Sequence, residues 1–292
     1  MPNDEMPNDE QPDSEEVAKL AAGERDTATS GGTDPFDVQA IDVTAAILVI
    51  GDEILSGRTK DKNIGHIADH LTRIGIALRE VRIVPDDEMA IVSAVNALRT
   101  AYDYVFTTGG IGPTHDDITA DCVAKAFGVP IDVDPRALDI MRPAYAKRGI
   151  ELNAARLRMA RIPEGADIVA NSVTMAPGFR LGNVIVMAGV PAIMQSMLEA
   201  VTPVLRTGNR VFSITLKALH AEGEIADLFA AHQSRWPRVA MGSYPGFAAG
   251  QFWTELVLRS AEKNDLEAAA ASLEDALSAA GLRADRIAAR TD

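Results

Sequence analysis

The chain has 292 residues, enough for one large domain or two modest ones, and a 47% apolar share that supplies a sizeable core. Aromatics are only 5% and the net charge is −14, which fits a helix-rich α/β protein and speaks against a nucleic-acid partner. No run of about 18 apolar residues offers a membrane span, and a single cysteine, Cys122, excludes an intrachain disulfide and a cysteine zinc site.

Residues 1–40 open with Met-Pro-Asn-Asp-Glu twice and hold eleven acids against two bases, a net of −9. Such a segment buries too little apolar surface to offset its ordering entropy, so a disordered acidic tail is expected over 1–40. An acidic, polar N-terminus is no secretory signal, and a cytoplasmic protein is expected.

From residue 41 to 207 the pattern predicts an α/β domain. Ala46–Ile50 is a continuous apolar run, as in a strand buried on both faces. Asn63 reads as the N-cap of a helix carrying Ile64, Ile67, Ala68, Leu71 and Ile74, closed by Gly75. Leu78–Val84 predicts a second strand, Ile91 to Leu98 a helix and Tyr104–Phe106 a third strand. Ile118–Phe127, Asp134–Gly149 and Asn153–Arg161 read as helical. A hairpin is expected from Asp167–Phe179 into Asn183–Ala188, then a helix from Gly189-Val190-Pro191 to about Leu205. Alternating strands and helices predict a doubly wound, mostly parallel sheet. Residues 208–292 predict a small α+β domain of β-α-β-β-α order.

The stretch Thr107-Thr-Gly-Gly-Ile-Gly-Pro-Thr-His-Asp-Asp-Ile-Thr119 carries the most chemistry. Glycines at a strand-to-helix junction let backbone amides approach an anion, and the following helix N-terminus adds its dipole. Asp116 and Asp117 follow at once, where a phosphate alone would be repelled. Glycines with acids imply a bridging divalent metal, Mg²⁺ first among them. Asp52-Glu53 and Asp86-Asp87 end the first two strands, so topology gathers three acidic pairs at one sheet edge. The plain alternative is that Asp52, Asp87 and Asp117 complement helix dipoles. Ser56, Gly57, Arg58, Thr59 and Asn63 form a polar loop facing the same crevice. The glycine loop lacks the Gly-Lys-Ser/Thr ending of a P-loop. His66 and His70 have metal-ligand spacing, but their helix position reads as solvated surface. His115 lies inside the loop, where it could meet a phosphate or shuttle a proton.

Gly51-Asp52-Glu53-Ile54-Leu55-Ser56-Gly57 and the 107–119 motif resemble the molybdopterin-binding fold family, which includes MogA, MoaB and the N-terminal part of CinA. Ala176-Pro177-Gly178-Phe179 and Gly189-Val190-Pro191 add CinA-like marks, and 208–292 is similar to the small domain that follows there. Two departures stand out. The usual Gly-Thr before Ala-Pro-Gly is Thr174-Met175, and Ile193 replaces a glutamate. They make the chain more similar to the molybdopterin-binding-like domain attached to some FAD synthases. The amidohydrolase domain that ends CinA is not expected here. The resemblance implies Asp86 and Asp117 as catalytic acids, with Asp52, Glu53, Asp116 and Asp117 near the metal. It implies a ligand held by Gly51, Ser56, Gly57, Asn63, Thr108, Gly109, Gly110, Gly112, Pro113, Thr114, Pro177 and Gly178. The implied activity is metal-dependent hydrolysis of a nucleotide pyrophosphate of the ADP-ribose or FAD type. The alternatives are a non-catalytic molybdopterin-binding module and a MogA-like adenylyltransferase. A homo-oligomer is expected.

Overall fold

The computed structural model describes residues 43–248 and 250–287; the expected tail over 1–40 lies outside them. The sheet of the first domain has the order β2-β1-β3-β8-β7-β6. Its parallel strands are β1 (Thr44–Ile50), β2 (Ala77–Val84), β3 (Tyr104–Thr108) and β8 (Val184–Met187). β6 (Asp167–Val169) and β7 (Gly178–Leu181) complete it, with β7 antiparallel to both neighbours. The sheet is therefore mostly parallel, as the alternating pattern predicts. β1 and β3 are buried throughout or nearly so, because helices cover both faces of the sheet.

One face packs on α2 (Asn63–Arg73) and α7 (Pro191–Val201), through Ile67, Leu71, Met194, Met197 and Leu198. The other packs on α3 (Glu88–Ala101), α4 (Thr119–Phe127) and α5 (Pro135–Lys147), through Ile91, Leu98, Cys122, Val123 and Met141. A short α1 (Asp52–Leu55) follows β1 directly.

Several local expectations are corrected. Asn63 is not the N-cap of α2; Asp61 Oδ1 accepts from the backbone N–H groups of Asn63 and Ile64 instead, at 3.0 and 2.8 Å. Sequence pattern finds the helix, but either polar residue could cap it. The run 167–179 is not one strand: residues 170–177 loop out, and β6 and β7 pair with each other. The loop is built by Asn171, whose Oδ1 accepts from Val173 and Thr174 while its Nδ2 donates to Ala176 O. Residues 153–161 form only a turn of helix α6 (Ala154–Leu157) and a 3₁₀ turn. Arg161 already begins β5 (Arg161–Pro163), paired with β4 (Ile131–Val133). That pair is too short for periodicity to reveal.

The second domain is antiparallel, ordered β10-β11-β9-β12. Its strands are β9 (Phe212–Ala218), β10 (Ala240–Ala248), β11 (Gln251–Ser260) and β12 (Ala284–Ile287). α8 (Glu222–Arg235) and α9 (Lys263–Ala279) cover one core, in which Leu216, Phe229, Leu256, Leu258 and Leu273 meet. β12 was not expected; its sequence Ala-Asp-Arg-Ile has one strong apolar residue. No helix among the described residues is long and apolar enough to cross a membrane.

Candidate functional site

The chain leaves β1 for β2 on one side, then returns to place β3 on the other. Brought to one edge by this reversal are the loops after β1, β2, β3 and β8. Between the ends of β1 and β3 lies a pocket of about 240 Å³. Val49, Ile50, Ile54 and Pro191 supply apolar wall, Thr108 and Asn63 polar groups, and Lys60 and Lys62 positive charge that Glu53 and Asp61 offset. Ser56 and Gly57 sit in the exposed turn after α1 and do not line it.

Asn63 is 4% exposed, and its Nδ2 donates to Gly189 O at 2.7 Å, tying α2 to the loop after β8. Its Oδ1 is buried without a partner, as is Oγ1 of Thr108, which is 1% exposed. Buried polar atoms are nearly always paired, so both are conspicuous.

The glycines of the β3 loop serve two ends. A Cβ on Gly109 would lie 2.1 Å from Ile50 O, and one on Gly110 2.1 Å from Thr119 Oγ1; both residues have positive φ. Backbone crossing this close admits only glycine. The N–H of Gly109 donates to Met187 O at 3.2 Å, so it is not available to a phosphate, contrary to expectation. The consecutive amides of Gly110, Ile111 and Gly112 have no acceptor among the described residues. Successive free N–H groups of this kind make an anion-binding concavity.

The acids divide by role. Asp87 is the N-cap of α3, its Oδ1 accepting from Ala90 N–H at 2.9 Å, so the helix-dipole reading holds there. Asp86 is half-buried and accepts from Asp52 N–H at 3.0 Å. Burial pushes its carboxyl above the usual range, the Asp52 hydrogen bond opposes this, and the charges of Asp52, Glu53 and Asp116 push it further. These four acids from three loops therefore share one field. Asp116 is exposed, and hydrogen bonding to Thr114 lowers its pKa. Asp117 turns back into its own loop: Oδ2 accepts from both the N–H and the hydroxyl of Thr114, and Arg158 Nη2 reaches its carbonyl at 3.3 Å. Among the described residues, no three His, Cys, Asp or Glu side chains close on one point as a metal cage. Of the expected set, Asp52, Glu53 and Asp116 join Asp86 in an acidic rim, while Asp117 braces its own loop; a cation at the rim would complete its shell with ligand phosphate and water.

A second, tighter cleft on the other side of the loop holds Gly110, Gly112, Asp117, Arg158 and Pro177. Arg158 and Arg161 escaped the sequence reading. Arg161 grips Asp121 with two bonds of 2.7 and 2.6 Å, and Arg158 has a buried, unpaired Nε. Nothing in their spacing points to the loop, because β4–β5 pairing brings them there. Gly178 is required by the sheet, since a Cβ would lie 2.2 Å from Val186 O. Pro113 and Thr114 are exposed at the loop tip. His115 is almost fully exposed beside Asp116, while His70 is no free surface group: its Nε2 meets Thr202 Oγ1 at 2.7 Å.

Known proteins are similar to this chain. A protein of Pyrobaculum arsenaticum is 35% identical over 216 residues, covering 70% of this chain and 82% of its own. One from Saccharolobus islandicus is 40% identical over 160 residues, 53% of this chain and 61% of its own. The solved structure described as the protein CinA with unknown function, from Thermoplasma acidophilum, is 34% identical with a TM-score of 0.52. It covers 56% of this chain and 98% of its own. Residues 210–285 match the FAD synthase middle domain. Residues 46–207, more than half of the chain, match the probable molybdopterin binding domain model, and the chain belongs to that molybdopterin-binding domain family, with CinA among its structural neighbours.

Proposed function

We propose that the crevice binds a phosphorylated pterin or nucleotide together with a divalent cation, and hydrolyses a nucleotide pyrophosphate of the ADP-ribose or FAD type. The observation that carries this reading is the row of unpaired amides at Gly110, Ile111 and Gly112 beside the acidic rim of Asp52, Glu53, Asp86 and Asp116. Amides take phosphate oxygens, and crowded carboxylates favour a cation. The donor chemistry fits Mg²⁺, a hard ion that keeps waters and binds through one or two carboxylates plus phosphate. Bound there, such an ion would neutralise phosphate charge and polarise a phosphorus.

The chain's own residues then divide the work. The 110–112 amides hold a phosphoryl group and stabilise charge developing on its oxygens. Asp86, whose raised pKa suits a proton acceptor, orients the attacking water, and the free Oδ1 of Asp117 assists. Thr114 fixes Asp117, and with it the loop. The match of residues 210–285 to a domain of FAD synthase supports a nucleotide ligand. The test is to incubate the purified protein with ADP-ribose and FAD, with Mg²⁺, Mn²⁺ or Co²⁺ against EDTA, and assay AMP. Metal-dependent AMP release that Asp86→Asn abolishes is expected. Nucleotide or pterin binding without turnover would instead favour a binding module.

A further inference from the structure

Among the described residues, no carboxylate pairs with Arg158. It stands in the 3₁₀ turn that leads into β5, half-buried in the tighter cleft beside the β3 loop. Of its five N–H donors, one reaches a protein acceptor, the carbonyl of Asp117 at 3.3 Å. Its Nε is sealed from water without a partner. Arg161, three residues on, gives the contrast, because both of its Nη groups grip Asp121. A buried donor left unpaired is destabilising, so the conformation that carries it is one a ligand can improve.

The rest of the cleft says which ligand. Gly110, Ile111 and Gly112 line it, and their N–H groups have no acceptor among the described residues. Two carboxylates line it as well. Asp121 is neutralised by Arg161, and the Asp117 carboxylate lies against Gly112, held by Thr114. Formal charges therefore cancel, Arg158 and Arg161 against Asp117 and Asp121. What remains uncommitted is directional: three amides and a guanidinium, donors without exception. Such a set takes the oxygens of a phosphate group. The free volume of about 20 Å³ holds about one oxygen-sized group. The cleft thus fits one non-bridging oxygen of a phosphate whose phosphorus stays at its mouth. The rim acids Asp52, Glu53, Asp86 and Asp116 do not line it, so a cation on them meets the phosphate from another side.

We propose that Arg158 is a catalytic residue, which closes on a non-bridging oxygen of the phosphate held by the 110–112 amides. The inference rests on the proposed function for its reaction, and adds the residue that completes the phosphate's donor shell. As water adds to the phosphorus, a new P–O bond forms. The bridging P–O bond breaks with its electron pair on the leaving phosphate, and the water's proton goes to Asp86. Through this step negative charge is spread over the non-bridging oxygens, where a fork of charged donors stabilises it.

Inorganic pyrophosphate with Mg²⁺, followed by calorimetry, tests the contact without turnover. Arg158→Ala should weaken binding by about thirtyfold, the worth of a charge-assisted hydrogen bond. Arg158→Met, which keeps the apolar stem, serves if Arg158→Ala fails to fold. Arg158→Lys separates a clamp from a mere brace. Bracing the Asp117 carbonyl needs one donor, which an ammonium supplies, whereas the fork needs the guanidinium. Arg158→Lys should therefore recover no more than about threefold of the loss. Guanidinium ion below its denaturing range should strengthen pyrophosphate binding by Arg158→Ala and not by wild type. In AMP release from ADP-ribose, Arg158→Ala should lose about a hundredfold in kcat/KM, most of it in kcat. Pyrophosphate binding unchanged in Arg158→Ala, or restored in full by Arg158→Lys, overturns the inference and leaves the amide site standing. A wild type that binds pyrophosphate but releases no AMP overturns the catalytic role together with the proposed hydrolysis. Silence of wild type toward both ligands overturns the phosphate site as well.

Discussion

The backbone N–H of Asp52 donates to Oδ2 of Asp86 at 3.0 Å, fastening the loop after β1 to the loop after β2 through an acid that its surroundings destabilise. The hydrogen bond lowers the Asp86 pKa, while burial and three neighbouring acids raise it, and the raising influences win. Strain of this kind on a titratable group in a crevice is a mark of function rather than of stability.

A stability consequence follows with a definite sign. A carboxyl whose folded pKa is raised is worse off charged in the fold than in the unfolded chain. Its cost is full above the folded pKa and disappears once the pH falls below the unfolded value. Asp86→Asn keeps an oxygen for Asp52 N–H and removes the charge. It should therefore be more stable than wild type at pH 7, by no more than about 1 kcal/mol because water still screens a half-buried group. The advantage should disappear as pH falls through the carboxylate range. Urea melts at pH 7 and pH 4 check this, and an Asp86→Asn protein less stable at pH 7 would refute it. In the same protein, Mg²⁺ should raise Tm less than it does for wild type.

Much of this was legible beforehand, for identifiable reasons. Buried parallel strands read as unbroken apolar runs, so β1 and β3 announce themselves, and strand order then places their loops together. The acidic pairs at 52–53, 86–87 and 116–117 could be found for that reason. Their division of labour could not. Asp87 as a cap, Asp117 as a loop brace and Asp86 as the strained group differ only in backbone geometry around identical carboxylates. Asn63 likewise passed for a cap because Asp61, two residues earlier, could do the same job. Arg158 and Arg161 were invisible because a three-residue strand pair delivers them.

The glycine loop predicts an asymmetry between two substitutions that look alike. Gly110 and Gly128 both have φ near +65 to +69°, but an added Cβ meets Thr119 Oγ1 at 2.1 Å at Gly110 and open space at Gly128. Gly128→Ala should cost about 1 kcal/mol, the left-handed backbone penalty alone. Gly110→Ala should cost about 2 kcal/mol or more, and should also abolish pyrophosphate binding by displacing the amides of residues 110–112. Denaturant melts with pyrophosphate calorimetry test both, and equal costs would show that Thr119 yields freely.

Thr114 gives a cleaner test of the brace. Its hydroxyl donates to Asp117 Oδ2, as does its N–H. Thr114→Val removes the first and keeps the second. At this exposed tip the stability change should be within about 0.5 kcal/mol. AMP release should still fall, by about tenfold, with kcat affected more than KM, because the Thr114 hydroxyl positions Asp117. An unchanged kcat would leave the Thr114 hydroxyl without a role in positioning Asp117.

Cys122 offers a readout of all of these. It is buried on α4 against the sheet, and burial pushes its thiol up to about 12. The thiolate is the reactive form, so at pH 8 the folded protein should react with a disulfide reagent far more slowly than a free cysteine. Labelling should then require opening of α4 from the sheet, and its rate should follow the population of the open form. A ligand bound only by the folded site lowers that population by the factor 1 + [L]/Kd, about a hundredfold at a hundred times Kd. Mg²⁺ with ADP-ribose should therefore slow labelling of wild type, and much less that of Gly110→Ala at the same ligand concentration. Rapid labelling of the folded protein, insensitive to ligand and to denaturant, would mean that α4 opens independently of the site it leads into.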